Sequence, residues 1–124
     1  MNNAAEPTFG NGKICYVELP STNIQESSDF YRDALDWQIR QRSDGSTAFD
    51  DGVGQVSGTW RTDRKPSTGI GILVHIMVDD IEVSMRKIKD HGGSIVQEVG
   101  MDAPEITAWF RDPSGNVLGL YQQR

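Results

Sequence analysis

Residues 71–93, GILVHIMVDDIEVSMRKIKDHGG, decide the fold of this chain. Ile72, Val74, Ile76 and Val78 alternate with Gly71, Leu73, His75 and Met77, the period-two pattern of a strand with one wholly β-branched face. The period changes at Asp79 and Asp80, either of which can cap a helix with Ile81, Met85 and Ile88 as its apolar stripe and Gly92-Gly93 as its stop. The same order occurs upstream. ICYVELP at 14–20 alternates as a strand, with Ile14, Tyr16 and Glu18 on one face and Cys15, Val17 and Leu19 on the other, the expected core face. Asn23 followed by Glu26 fits a capping box, and Ile24, Ser27, Tyr31 and Leu35, joined by Phe30 and Ala34, predict a helix over about 24–35.

Three short strand-like segments follow each helix. In the first half they fall near 37–42, 46–50 and 54–61, separated by the turn pairs Asp44-Gly45 and Asp51-Gly52. In the second half they are Ile95 to Glu98, Ile106 to Phe110 and Val117 to Tyr121, the last two joined by the turn Asp112-Pro113-Ser114-Gly115-Asn116. A constant offset of 57 positions pairs Ile24 with Ile81, Ser27 with Ser84 and Asp33 with Asp90, and an offset of 61 pairs Val56–Trp60 with Val117–Tyr121. The chain is an internal repeat of two β-α-β-β-β units. Residues 62–69 carry charges, a proline and a glycine without an apolar residue and read as the linker. The expected organisation is a flexible tail over 1–12 and one α+β domain over 13–122, with module one at about 13–61 and module two at about 70–122.

One helix can cover only one face of a four-stranded sheet, so the other face must meet something else, and two such modules leave a cavity between them. Strand parity puts Tyr16, Glu18, Leu73, His75 and Met77 on the uncovered side. Trp60, Trp109 and Tyr121, on or near inward strands, add the aromatic wall that an apolar ligand requires, with core or interface packing as the competing role for the tryptophans. Glu18 and His75 are equivalent under the 57-residue offset and form a candidate acid–base or hydrogen-bonding pair.

Composition narrows the function classes. Among 124 residues, 18 acidic side chains against 12 basic ones give a net charge of −6, which disfavours nucleic-acid binding through phosphate neutralisation. No apolar run approaches the ~20 residues of a membrane span, and the polar start lacks a signal-peptide pattern, so a cytoplasmic location is expected. The lone Cys15 cannot pair internally and is expected to pack as a small core residue. No nucleophile-elbow pattern or phosphate-loop context is present.

The stretches YVELPSTNIQESSDFYRDALDW, VHIMVDDIEVSMRKIKDHGG and WFRDPSGNVLGLYQ together resemble the vicinal oxygen chelate superfamily, which contains glyoxalase I, bleomycin-resistance proteins, fosfomycin-resistance enzymes and extradiol dioxygenases. The likeness runs from about Lys13 to Gln122. It implies the glyoxalase/bleomycin-resistance/dioxygenase fold of two βαβββ modules, and a homodimer whose sheets form half-open barrels around a cavity. It also implies where a metal would sit: the family's pseudo-symmetric ligand positions fall on Tyr16, Gly58, Leu73 and Gly119, none of them histidine or carboxylate. Zinc, nickel or iron needs several N or O donors converging on one point. The expectation is therefore no metal and no cofactor, and metal-independent binding of a small molecule between the modules. The alternative is a glyoxalase-like lyase or isomerase using Glu18 and His75 as acid and base, and a third class is an interaction protein whose cavity is filled by its own side chains.

Overall fold

The computed structural model describes residues 6–68 and 71–123. Positions 1–5 of the expected tail, 69 at the end of the linker, 70 at the start of module two, and 124 lie outside the described residues. Module one runs β1 (Tyr16–Pro20), α1 (Ile24–Leu35), β2 (Gln38–Gln41), β3 (Thr47–Asp50) and β4 (Ser57–Arg61). Module two repeats the order as β5 (His75–Val78), α2 (Ile81–Asp90), β6 (Ser94–Gln97), β7 (Ile106–Arg111) and β8 (Val117–Gln122). The sheets have orders β1-β4-β3-β2 and β5-β8-β7-β6, each with its first strand parallel to its last and antiparallel pairing elsewhere. This is an α+β fold of two βαβββ modules.

The helix starts have the causes that the sequence suggests. Asn23 is extended (φ −160°) and its side chain accepts from the Glu26 N–H at 3.0 Å, and Asp80 does the same for Val83 at 3.2 Å. Helix α2 ends where Gly92 takes φ +102°, a conformation that costs glycine little.

Both helices and the sheet faces beneath them share one core. In module one it is an aromatic stack: Tyr31 on Trp37 (ring centroids 4.4 Å), Trp37 on Phe49 (4.5 Å) and Phe49 against Trp60 (4.7 Å). Phe30 reaches Phe110 of module two at 6.1 Å, and α1 packs against α2. The polar joint between modules is the 112–116 turn. Asp112 is buried, and its Oδ1 accepts from the backbone N–H groups of Ser114, Gly115 and Asn116 at 3.0, 3.0 and 2.9 Å. Its Oδ2 accepts from Tyr31 Oη of module one at 2.8 Å and from Asn116 Nδ2 at 3.0 Å. Asn116 Nδ2 also donates to the Pro20 carbonyl at 2.6 Å, while its Oδ1 accepts from Ser67 N–H at 2.8 Å. Asp112 and Asn116 thus tie the turn to module one and to the segment before β5.

Four expectations are corrected. Strand β1 begins at Tyr16, so Cys15 precedes the sheet, and its thiol is exposed rather than packed. Trp60 pairs with Leu19 across the parallel β1–β4 ladder and therefore lies on the covered face, 3% exposed, as a core residue and not a wall of the open side. Strand β5 begins only at His75, which leaves Ile72 (91%) and Val74 exposed and puts just Ile76 and Val78 of that β-branched face against the core. The repeat also closes differently: Glu18 pairs with Thr59 and His75 with Gly119, so the counterpart of Gly119 is Thr59, an offset of 60 rather than 61.

Asp112→Ala strands the Tyr31 hydroxyl and three backbone donors in the core and is expected to cost about 3 kcal/mol, measured by urea unfolding. Burial, reinforced by the adjacent Asp112 carboxylate, holds the Tyr31 phenol well above its ordinary range. A raised phenol favours the neutral form in the folded state, so its contribution is complete below about pH 10 and is lost as pH rises beyond it. Tyr31→Phe should flatten that alkaline loss in pH-dependent unfolding.

Candidate functional site

Beside the α1–α2 contact the modules leave a cleft of about 920 Å³. Val17, Leu19 and Trp37 line it from module one, and Leu73, His75 and Met77 from module two. The lining is mainly apolar, with Asp36, Asp51, Asp79 and Asp80 at its margins. It exists because β1 and β5 are both edge strands: neither finds a partner in the other module, and the apolar side chains around both edges are left facing each other across a gap.

The uncovered sheet faces differ in character. In module one, register places Tyr16, Glu18, Arg40, Ala48, Asp50, Ser57 and Thr59 on that face. Arg40 binds Asp50 through two hydrogen bonds of 2.8 and 3.1 Å, and Ser57 Oγ donates to the same carboxylate at 2.6 Å. The Arg40 hydrogen bonds, with help from Ser57, hold the Asp50 carboxyl below its usual range. Tyr16 crosses the face to accept a hydrogen bond from Arg42 Nη2, whose guanidinium carbon lies 5.7 Å from the Tyr16 ring centroid. Glu18 is ion-paired with Arg64 at 2.7 Å. In module two the corresponding face carries His75, Met77, Trp109 and Tyr121 together with Gln97, Thr107 and Arg111, with fewer charges than the face of module one.

The structure thus divides the residues singled out from sequence. Leu73, His75 and Met77 come together at the cleft. Tyr16 and Glu18 lie on the open face of module one, Trp109 and Tyr121 on that of module two, and Trp60 in the core, its indole N–H buried without a hydrogen-bond partner. Among the described residues no hydrogen bond or ion pair joins Glu18 to His75: the carboxylate is engaged by Arg64, and the imidazole lies over Gly119. Arg42 and Arg64 escape a reading of apolar periodicity. The alternation of Arg40 and Arg42 along the first meander strand is the signal that could have found the former.

The ligand positions implied by the family resemblance can be tested on their donor chemistry. With the observed register they are Tyr16, Thr59, Leu73 and Gly119. The Thr59 hydroxyl donates to the Thr47 carbonyl at 2.7 Å, Leu73 offers no donor atom, and the space above Gly119 is taken by the His75 ring. Among the described residues no three His, Cys, Asp or Glu side chains are grouped so as to hold a metal ion. These residues do not fit the family's metal.

Paired βαβββ modules with an inter-module cleft define the glyoxalase-type class of small domains. The family model for the Glyoxalase/Bleomycin resistance protein/Dioxygenase superfamily matches residues 13–120, and the chain belongs to that superfamily. Among curated relatives it is 24% identical to a lactoylglutathione lyase of Neisseria meningitidis, over 90% of this chain and 91% of that one. Among solved structures, a superfamily member from Sphaerobacter thermophilus superposes with TM-score 0.73 at 17% identity, covering 90% of this chain and 98% of that one. An antibiotic binding protein from a Streptomyces species superposes with TM-score 0.69 at 19% identity, covering 94% and 100%. No helix among the described residues is long and apolar enough to cross a membrane.

A Cβ added at Gly119 would fall 2.6 Å from His75 Cδ2 and 2.7 Å from Nε2. Gly119→Ala is therefore expected to displace the imidazole and destabilise the domain by about 1–2 kcal/mol, and a second change, His75→Ala, should recover most of that loss in a double-mutant cycle.

Proposed function

We propose that this chain binds an apolar or aromatic small molecule in the cleft between its modules, without a resident metal ion. The observation that carries the reading is the cleft itself: about 920 Å³, mainly apolar, with Leu73, His75 and Met77 among its lining residues. That is the size and chemistry of a small-molecule site. The antibiotic-binding neighbour supports it as an analogy of fold. We further propose that the working form is a homodimer, because Ile14 (75%), Val53 (67%), Ile72 (91%) and Met77 (67%) leave apolar surface exposed around the cleft mouth that a second copy would cover. The tail over 1–12 and the division into modules at 13–61 and 70–122 are part of this reading.

A second reading, turnover as a lyase or isomerase, takes its support from the relatives named lactoylglutathione lyase. Of the Glu18 and His75 pair, only His75 lines the cleft, beside Asp36, Asp51, Asp79 and Asp80, while Glu18 is paired with Arg64 on another surface, so an acid–base step in the cleft would draw on His75 and not on Glu18.

The test is a thermal-shift screen of chelator-treated protein with apolar aromatic compounds. A ligand at 100 times its Kd adds about 2.7 kcal/mol to the folded state, enough to raise Tm by several degrees. Leu73→Arg, which puts a charge on the cleft wall, should abolish the shift. A screen in which only added metal salts raise Tm would overturn the proposal.

A further inference from the structure

We propose that Tyr16 and Arg42 form a receptor for the carboxylate of an organic ligand on the open face of module one, a recognition element separate from the apolar cleft. Three of the four guanidinium groups at or beside this face are already neutralised: Arg40 by Asp50 (2.8 Å), Arg61 by Asp63 (2.7 Å) and Arg64 by Glu18 (2.7 Å). Arg42 is the exception. Among the described residues no carboxylate lies within ion-pair distance of it; Asp44, two residues on, is within electrostatic reach but spends Oδ1 on the Ser46 N–H (2.9 Å) and hydroxyl (2.7 Å). The side-chain hydrogen-bond partner of Arg42 is the phenol of Tyr16, to which Nη2 donates.

That contact joins opposite ends of the sheet. Tyr16 stands on β1, one edge strand, and Arg42 follows β2, the other edge strand, so the two side chains meet above the middle of the face. Arg40 and Arg61 both lie within electrostatic reach of the Tyr16 oxygen. Because that oxygen is the acceptor toward Arg42, its own proton is free to be donated, and one N–H edge of the guanidinium is left unused. A planar guanidinium fork beside a phenolic O–H matches the two oxygens of a carboxylate, with charge-assisted bonds stronger than neutral ones. Tyr16 is 43% exposed, so a ligand can approach from solvent. On a chain of net charge −6 the overall field does nothing to collect anions, so recognition would rest on this local pair of groups.

The experiment is an NMR titration of the full chain with benzoate and with its neutral analogue benzamide, following the Arg42 Nε–H signal and the signals of His75 and Met77. Benzoate should move the Arg42 signal and bind about tenfold or more tightly than benzamide, the size expected for hydrogen bonds to a charged group. Arg42→Gln should remove the preference, and Tyr16→Phe, which keeps the ring, should reduce it several-fold. Equal binding of the two compounds, a preference that survives Arg42→Gln, or no perturbation of Arg42 by benzoate overturns the proposal. Because His75 and Met77 report the cleft independently, their response to benzamide shows whether cleft binding stands when the carboxylate receptor fails.

Discussion

The arrangement of the two modules depends on one buried carboxylate. Asp112 gathers three backbone N–H groups of its own turn on one oxygen and receives the Tyr31 hydroxyl of module one on the other. A buried charge left alone would be very costly, but here each oxygen is satisfied by donors held in place by the fold. Asn116 extends the joint to the Pro20 carbonyl and the Ser67 N–H. The turn between β7 and β8 is thus a connector that ties module two to the β1–α1 junction, beside the packing of α1 on α2.

Much of this was legible because local signals agreed with the global pattern. Asn23 and Asp80 are caps in both sequence and structure, the period switches from two to 3.6 beyond β1 and β5, and the 112–116 turn is spelled out residue by residue. The misreadings have a common physical origin, which is that strand ends and registers are set by pairing partners that lie far away in sequence. Cys15 alternates correctly with Val17 and Leu19, yet the sheet starts one residue later. Trp60 was placed by an aromatic-wall argument, but its side is dictated by lying opposite Leu19. Gly58 and Thr59 could not be told apart by counting, because a one-residue slip is invisible in a short strand and moves the side chain to the other face. The polar network of Arg40, Asp50, Ser57, Tyr16 and Arg42 was invisible for a different reason: it joins side chains from four elements, and only tertiary structure brings them onto one surface.

Where the superfamily resemblance leads one to look for metal ligands, this chain has a phenol, a threonine hydroxyl, a leucine side chain and a glycine. The glycine is itself informative. Gly119 leaves room for the His75 ring, so an imidazole is laid against the backbone where a carboxylate stem would otherwise stand. The same fold carries an apolar cleft between its modules and a charged first face, and chemistry assigned by fold alone would miss both.

The most direct test of metal-free ligand binding is native mass spectrometry of the full chain equilibrated with zinc and nickel salts together with an apolar aromatic compound. The expected spectrum shows the protein carrying the organic molecule and no stoichiometric metal, with that adduct unaffected by chelator. A spectrum with one metal ion per chain, lost on chelation and required for the organic adduct, would contradict it.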